Sequence, residues 1–211
     1  MSNIQIPNLP PAIALNGSEQ LEIVQAGTSR RTTVADVAAL SSAQIFALST
    51  AQVVKLEVAD LAALSTAAIA GMSTAQMASL LSTQVDDLST AQVRAIETAD
   101  IKVLTTAHVA VLTADQVGAL TTPQLVALST AQVAALTNPL SASQVIARQV
   151  GALTTAQIAA LTTAQVVAWT TAHTSALNSV QVAALTTAQV KVIETLDLQA
   201  LSAAAIKSLT T

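Results

Sequence analysis

Leu153-Thr154-Thr155-Ala156-Gln157-Ile158-Ala159-Ala160-Leu161-Thr162-Thr163-Ala164-Gln165-Val166 holds most of two copies of an eight-residue unit, and the reading of that unit decides the fold. Thr154 is placed to cap a helix, and Gln157 follows at the three-residue spacing of a capping box. Leu153 before the cap and Ile158 in the first turn are the two partners of a hydrophobic staple. Thr162 and Gln165 repeat the box between Leu161 and Val166, as do Ser49 and Gln52 between Leu48 and Val53. Asn178 takes the cap place in another copy, which suits it equally well. Asp36, Asp60, Asp100 and Asp197 replace the glutamine elsewhere, where a carboxylate suits the positive end of a helix.

Leucine or a close substitute returns every eight residues, from Leu40 through Leu48, Leu56, Leu64, Met72 and onward to Leu136, then from Leu153 to Leu209. The consensus is Leu-Ser/Thr-Thr-Ala-Gln-Val-x-Ala, and it occupies residues 32–211. Eight residues at roughly 100° each carry the leucine about 80° further round per copy, so one straight helix keeps no apolar stripe. Pro123 and Pro139 fall in first helical turns, where a missing N–H costs little, and in mid-helix they would be costly. The expected fold is therefore all-α: a solenoid of short capped helices built from octapeptide repeats, with a small N-terminal β-hairpin segment. Helices this short are marginal alone, so their Leu and Val positions must be buried on neighbouring units.

The competing architecture is a β-solenoid, because Thr, Val and Ile favour strands. Its corners would want Gly, Asn or Asp at fixed places, and alanine at two of eight positions favours helix. Within the helical reading, Ala51, Ala67, Ala156 and Ala164 are expected to let successive turns approach closely. The residue after Val varies most (Phe46, Val54, Asp86, Arg94, Lys102, Gly118, Val126, Lys191, Lys207) and is expected to face outward. Residues 137–152 form an irregular unit: Leu136 and Leu153 stand seventeen apart, and Leu140-Ser141-Ala142-Ser143-Gln144-Val145 starts an extra box beside Asn138-Pro139.

Composition narrows the function classes. The 211 residues are 52% hydrophobic, 1% aromatic and 9% charged, with formal charge −4 and no cysteine. Disulfide scaffolds, thiolate metal sites and cysteine nucleophiles are excluded. No basic footprint points to nucleic acid. Mean hydropathy is +0.60, yet no run of about eighteen apolar residues supports membrane insertion. The start, Met1-Ser2-Asn3-Ile4-Gln5-Ile6-Pro7, carries no secretory leader pattern.

Catalytic, cofactor and metal sites are all expected to be absent. His108 and His173 replace the box glutamine and are expected to face solvent. Serines and threonines fall at cap positions. Asp86-Asp87 and the pairs Glu57/Asp60, Glu97/Asp100 and Glu194/Asp197 resemble dispersed helix-start charges, and no glycine-rich phosphate loop occurs. Trp169 stands at a leucine position, for core packing or as a surface anchor. With so few charges, much Ala, Val and Thr must meet water, which implies self-association or seating in a larger assembly.

Residues 1–31 differ in kind. Pro7, Pro10, Pro11 and Gly17 punctuate an irregular start; Leu21–Gln25 alternates like a strand, Ala26–Ser29 can turn, and Arg30–Val34 can return. This hairpin is placed to cap the open end of the solenoid. Ile6-Pro7-Asn8-Leu9-Pro10, Leu15-Asn16-Gly17-Ser18-Glu19-Gln20-Leu21-Glu22-Ile23-Val24-Gln25 and Gly27-Thr28-Ser29-Arg30-Arg31-Thr32-Thr33-Val34-Ala35-Asp36-Val37 together resemble the N-terminal segment of tailed-phage and prophage tail-fibre or tail-appendage proteins. The resemblance covers about the first 37 residues and implies a virion-proximal attachment segment ahead of an elongated region. It makes Ile6, Leu9, Leu21, Ile23, Val24, Arg30 and Arg31 the expected particle-docking residues.

The expected function is then that of a non-enzymatic structural protein of a phage or phage-like particle, a tail fibre, appendage or decoration. It would be assembled in the host cytoplasm, located in the virion, homo-oligomeric, and partnered by other virion or tail proteins, with a host surface as a further partner. The alternative is an adhesin-like solenoid that binds glycan or ice. The repeats run to Thr210-Thr211, with no recognisable receptor-binding domain after them.

Overall fold

A computed structural model of the chain describes residues 3–4, 21–25, 28–32, 40–136 and 147–209. The chain divides into two compact units, unit 1 up to Leu104 and unit 2 from Thr105. The extra box at Leu140–Val145, Pro139, Asp36, Ile6 and Leu9 lie outside the described residues.

Unit 1 begins with three paired strands. β1 (Asn3–Ile4) runs parallel to β2 (Leu21–Gln25), which pairs antiparallel with β3 (Thr28–Thr32). Thr28 and Ser29, expected in the turn, are strand residues instead, paired with Gln25 and Val24.

Eight short helices follow among the described residues of unit 1: α1 (Ser42–Phe46), α2 (Thr50–Val53), α3 (Val58–Ala63), α4 (Thr66–Ala70), α5 (Thr74–Ser79), α6 (Ser82–Asp86), α7 (Thr90–Ala95) and α8 (Thr98–Val103). Each covers half or more of one octad. Ser41, Ser49, Ser73 and Ser89 accept from the backbone N–H three residues on, and the glutamine there accepts the cap residue's own N–H. Leu64 after α3, Leu80 after α5 (φ −54°, ψ 150°), Ile96 after α7 and Leu104 after α8 leave helical geometry, and the next helix starts two residues on. A separate start in these octads is thus written into local chemistry.

Helices pack on the third one along. In unit 1, α1 meets α4 and α4 meets α7, α2 meets α5 and α5 meets α8, and α3 meets α6. Three octads therefore close one coil of 24 residues, the spacing from Thr50 to Thr74 and from Thr74 to Thr98. This solenoid buries a regular set. Leucine positions are 2–5% exposed, and the sixth position (Val53, Leu61, Ile69, Met77, Val85, Val93, Ile101) is 0–1% exposed.

Unit 2 repeats the plan with α9 (Thr106–Ala110), α10 (Ala114–Ala119), α11 (Thr122–Ala127), α12 (Thr130–Ala135), α13 (Ala147–Val150), α14 (Thr155–Ala160), α15 (Thr163–Val167), α16 (Thr171–Ser175), α17 (Ser179–Ala183), α18 (Thr187–Val190), α19 (Thr195–Gln199) and α20 (Ala203–Lys207). Here α9 meets α12, α14 meets α17, α15 meets α18, α16 meets α19 and α17 meets α20. Pro123 lies in the first turn of α11, where no N–H is needed. Trp169 is 4% exposed, so of its two expected roles it takes core packing.

The expectation for the alanines is overturned. Ala51, Ala67, Ala156 and Ala164 are exposed, because the second helical residue lies about 200° round the axis from the buried fourth. The close approach in unit 1 lies elsewhere. A Cβ added to Gly71 would stand 2.3 Å from Ser42 Cβ and 2.9 Å from its Cα. Gly71→Ala should therefore destabilise the protein by about 1–3 kcal/mol, read as a lower urea midpoint. The variable seventh position mostly faces out, as at Phe46 (63% exposed), while Val54 and Gly118 are half-buried.

Candidate functional site

The recurring polar feature of each unit is its corners, where one helix stops and the next starts. The box glutamine does two jobs there. Gln76 Oε1 accepts the Ser73 N–H at 2.7 Å and its hydroxyl at 3.0 Å. The other end of the same amide donates from Nε2 to the Ile45 and Leu48 carbonyls, each at 2.7 Å, at the corner one coil away. Gln84 joins Val53 and Leu56 in the same way, and Gln92 joins Leu61 and Leu64.

In unit 2, Gln157 donates to Leu125 (2.8 Å) and Leu128 (2.7 Å), Gln165 to Val133 and Leu136, Gln181 to Gly151 and Leu153, and Gln189 to Ile158 and Leu161. These side chains are 1–4% exposed. Each buried amide is thus satisfied at both ends, which joins coil to coil as well as starting a helix.

The histidines correct an expectation. His108 and His173 are 5% and 4% exposed instead of solvent-facing, because the third helical residue sits beside the buried fourth. His173 Nδ1 accepts the Thr170 N–H at 3.1 Å and lies 2.8 Å from its hydroxyl. His108 Nδ1 accepts from Thr105 N at 3.3 Å. Nδ1 replaces the glutamine oxygen, which leaves Nε2 to carry the ring proton.

Three octads change both box partners. Glu57, Glu97 and Glu194 stand at the cap without a side-chain cap bond, ahead of buried Asp60, Asp100 and Asp197. Burial, then Glu97, pushes the Asp100 carboxyl above the usual carboxylate range. Burial and Glu194 push Asp197 up, and His173 on the same corner one coil away pulls it partly back. An ionised aspartate donates nothing to the neighbouring corner. Raised native values mean that these groups favour the fold in acid and lose that contribution as pH climbs through them. Asp100→Gln should supply the missing donor, raise stability at neutral pH by about 1–2 kcal/mol, and flatten the loss of stability between acid and neutral pH. Urea titrations across that range measure both effects.

The sequence-predicted docking residues are placed in part. Leu21, Ile23 and Val24 lie on β2, Arg30 and Arg31 on β3, with Ile23 opposite Arg30. Ile6 and Leu9 lie outside the described residues. Among the described residues no three His, Asp or Glu converge as a metal site. No described helix is long and apolar enough to cross a membrane. Large apolar side chains do reach solvent: Phe46, Leu81 and Val103 in unit 1, and Val126, Val167, Val180, Leu196 and Ile206 in unit 2.

A protein-family model described as the ALTTAQ repeat matches residues 53–90 and 93–130. No curated protein and no solved structure matches the chain.

Proposed function

We propose that this repeat solenoid is a non-enzymatic structural protein of a phage or phage-like particle, a tail fibre, appendage or decoration. The observation that carries this reading is how the repeated polar groups are used. Cap serines and threonines, box glutamines and both histidines sit in the corners of the coils, where they start helices or join them. What faces outward is a repetitive, sparsely charged surface with scattered apolar side chains, suited to contact with other chains. The resemblance of residues 1–37 to the attachment segment of tail-fibre proteins supports the particle. On this reading the segment with Leu21, Ile23, Val24, Arg30 and Arg31 docks on virion or tail proteins, copies associate, and the repeats meet other chains or a host surface.

Electron microscopy of purified particles with a gold label on this chain tests the reading. Label at a fixed particle position, lost when residues 1–31 are deleted, is the expected result. Unlabelled particles from producing cells would refute it.

A second reading, an adhesin-like binder of glycan or ice, draws on the threonine after each cap. Thr50, Thr74 and Thr98 are exposed and recur one coil apart. Retention of the purified chain on a glycan array or an ice front, lost in Thr50→Val/Thr74→Val/Thr98→Val, would favour it.

A further inference from the structure

We infer that two glutamate–aspartate corners, Glu97 with Asp100 in unit 1 and Glu194 with Asp197 in unit 2, are binding sites for a hard divalent cation such as calcium. Each site lies within one unit, and the inference does not depend on the proposed function.

The ligand set comes from what an aspartate leaves undone. One coil earlier than Asp100, Gln76 Nε2 donates to the Ile45 and Leu48 carbonyls, each at 2.7 Å. Twenty-four residues on, Asp100 takes the glutamine's place opposite the Ile69 and Met72 carbonyls. Asp197 stands in the same relation to the Val166 and Trp169 carbonyls, since Gln189, one octad earlier, donates to those of Ile158 and Leu161. Among the described residues, no side chain donates to any of the four carbonyls at the aspartate corners. Asp100 and Asp197 are 2% and 6% exposed, and no side-chain hydrogen bond satisfies either carboxylate. A buried carboxylate needs a partner charge or a metal ion. Aspartate is one methylene shorter than glutamine, so its oxygen stands about 1.5 Å further from the carbonyls than the amide nitrogen does. A gap of about 4 Å is too long for a hydrogen bond and suits an ion at about 2.3–2.6 Å from each oxygen.

The cap residue changes together with the box. In the described octads all three aspartate boxes follow a glutamate cap, and no glutamine or histidine box does. Glutamate makes no cap bond at any of the three. It adds a like charge instead: Glu97 is the charge that acts on the buried Asp100 carboxyl, and Glu194 acts on Asp197, where His173 offsets it in part. Without an ion both changes are losses, and an ion makes ligands of both carboxylates. Glu97 and Glu194 are exposed, which opens the corner to an ion from solvent. Two carboxylates and two carbonyls form an oxygen-only set that needs no third acidic side chain, and water fills the rest of calcium's about six to eight places. The third pair, Glu57 and Asp60, has no helix corner opposite it, because the corresponding residues Ser29 and Thr32 lie in β3.

Urea unfolding of the full chain in CaCl2, against NaCl of equal ionic strength, tests this, with circular dichroism to show that each variant is folded. The wild-type midpoint should rise with CaCl2 through about 10⁻⁴–10⁻³ M, the range of weak oxygen sites, and stay unchanged in NaCl. Asp100→Gln/Asp197→Gln restores the amide used at other corners and should lose the calcium response. Asp115→Asn, at an exposed carboxylate outside both sites, should keep it. Trp169 is the only tryptophan and the chain has no tyrosine. Terbium in place of calcium should therefore give tryptophan-sensitised emission from the unit 2 site, displaced by CaCl2 and lost in Asp197→Gln. A wild type indifferent to calcium overturns the proposal, as does a shift that NaCl reproduces. So does a calcium response kept by the double variant, or terbium emission that Asp197→Gln leaves unchanged.

Discussion

Gln157→Glu is expected to destabilise the protein by about 3–5 kcal/mol at neutral pH, the range for a buried charge left without its partner. Glutamate retains the oxygen that accepts the Thr154 N–H at 2.9 Å, so the start of α14 survives. It exchanges the amide nitrogen for a second oxygen, and this faces the Leu125 and Leu128 carbonyls at the 2.7–2.8 Å now spanned by hydrogen bonds. With the side chain 2% exposed, water cannot take over. The penalty should shrink in acid, where the protonated carboxyl again donates one hydrogen bond. Urea unfolding of wild type and variant at acid and neutral pH reads both parts. A loss below about 1 kcal/mol at neutral pH would mean that the corner bonds do not hold the coils together.

The second large effect comes from moving proline by three residues. Ala156 is the second residue of α14, the place that Pro123 holds in α11, and it is exposed. Ala156→Pro should cost little, because no helical N–H is removed. Ala159 lies deeper in the same helix, and Ala159→Pro should cost about 3 kcal/mol or more, through a lost backbone bond and a clash with the preceding turn. Chemical melts of the two variants give the comparison. Equal losses would mean that the chain does not restart its helix at Thr154.

Much of this architecture was legible because capping is local. Thr154 and Gln157 are three residues apart, and Leu153 and Ile158 five, so the start and inner face of α14 can be read from a single octad. The coil was not legible. The octad encodes where a helix stops at Leu161, but not the angle at which the next departs; long-range contacts such as that of α15 with α18 show that three octads close a turn.

The second role of the glutamines escaped for the same reason, since Gln157 and Leu128 are 29 residues apart. The clue was present in the sequence: Gln157 stands beside the buried Ile158, while the capping box with Thr154 uses only its oxygen and leaves the amide nitrogen to find an acceptor elsewhere. The histidines would have followed, since His108 and His173 replace that amide and inherit its burial. Of the docking residues, β2 and β3 carry five, but no local rule connects those strands to a partner.

The most direct test of the coil uses the absence of cysteine from the chain. Spin labels on Thr163→Cys/Thr187→Cys, both exposed and 24 residues apart on α15 and α18, report one coil step. Packed neighbouring helices place their axes about 10 Å apart, so strong dipolar broadening is expected. A separation near 36 Å, that of 24 residues along one continuous helix, would contradict the account.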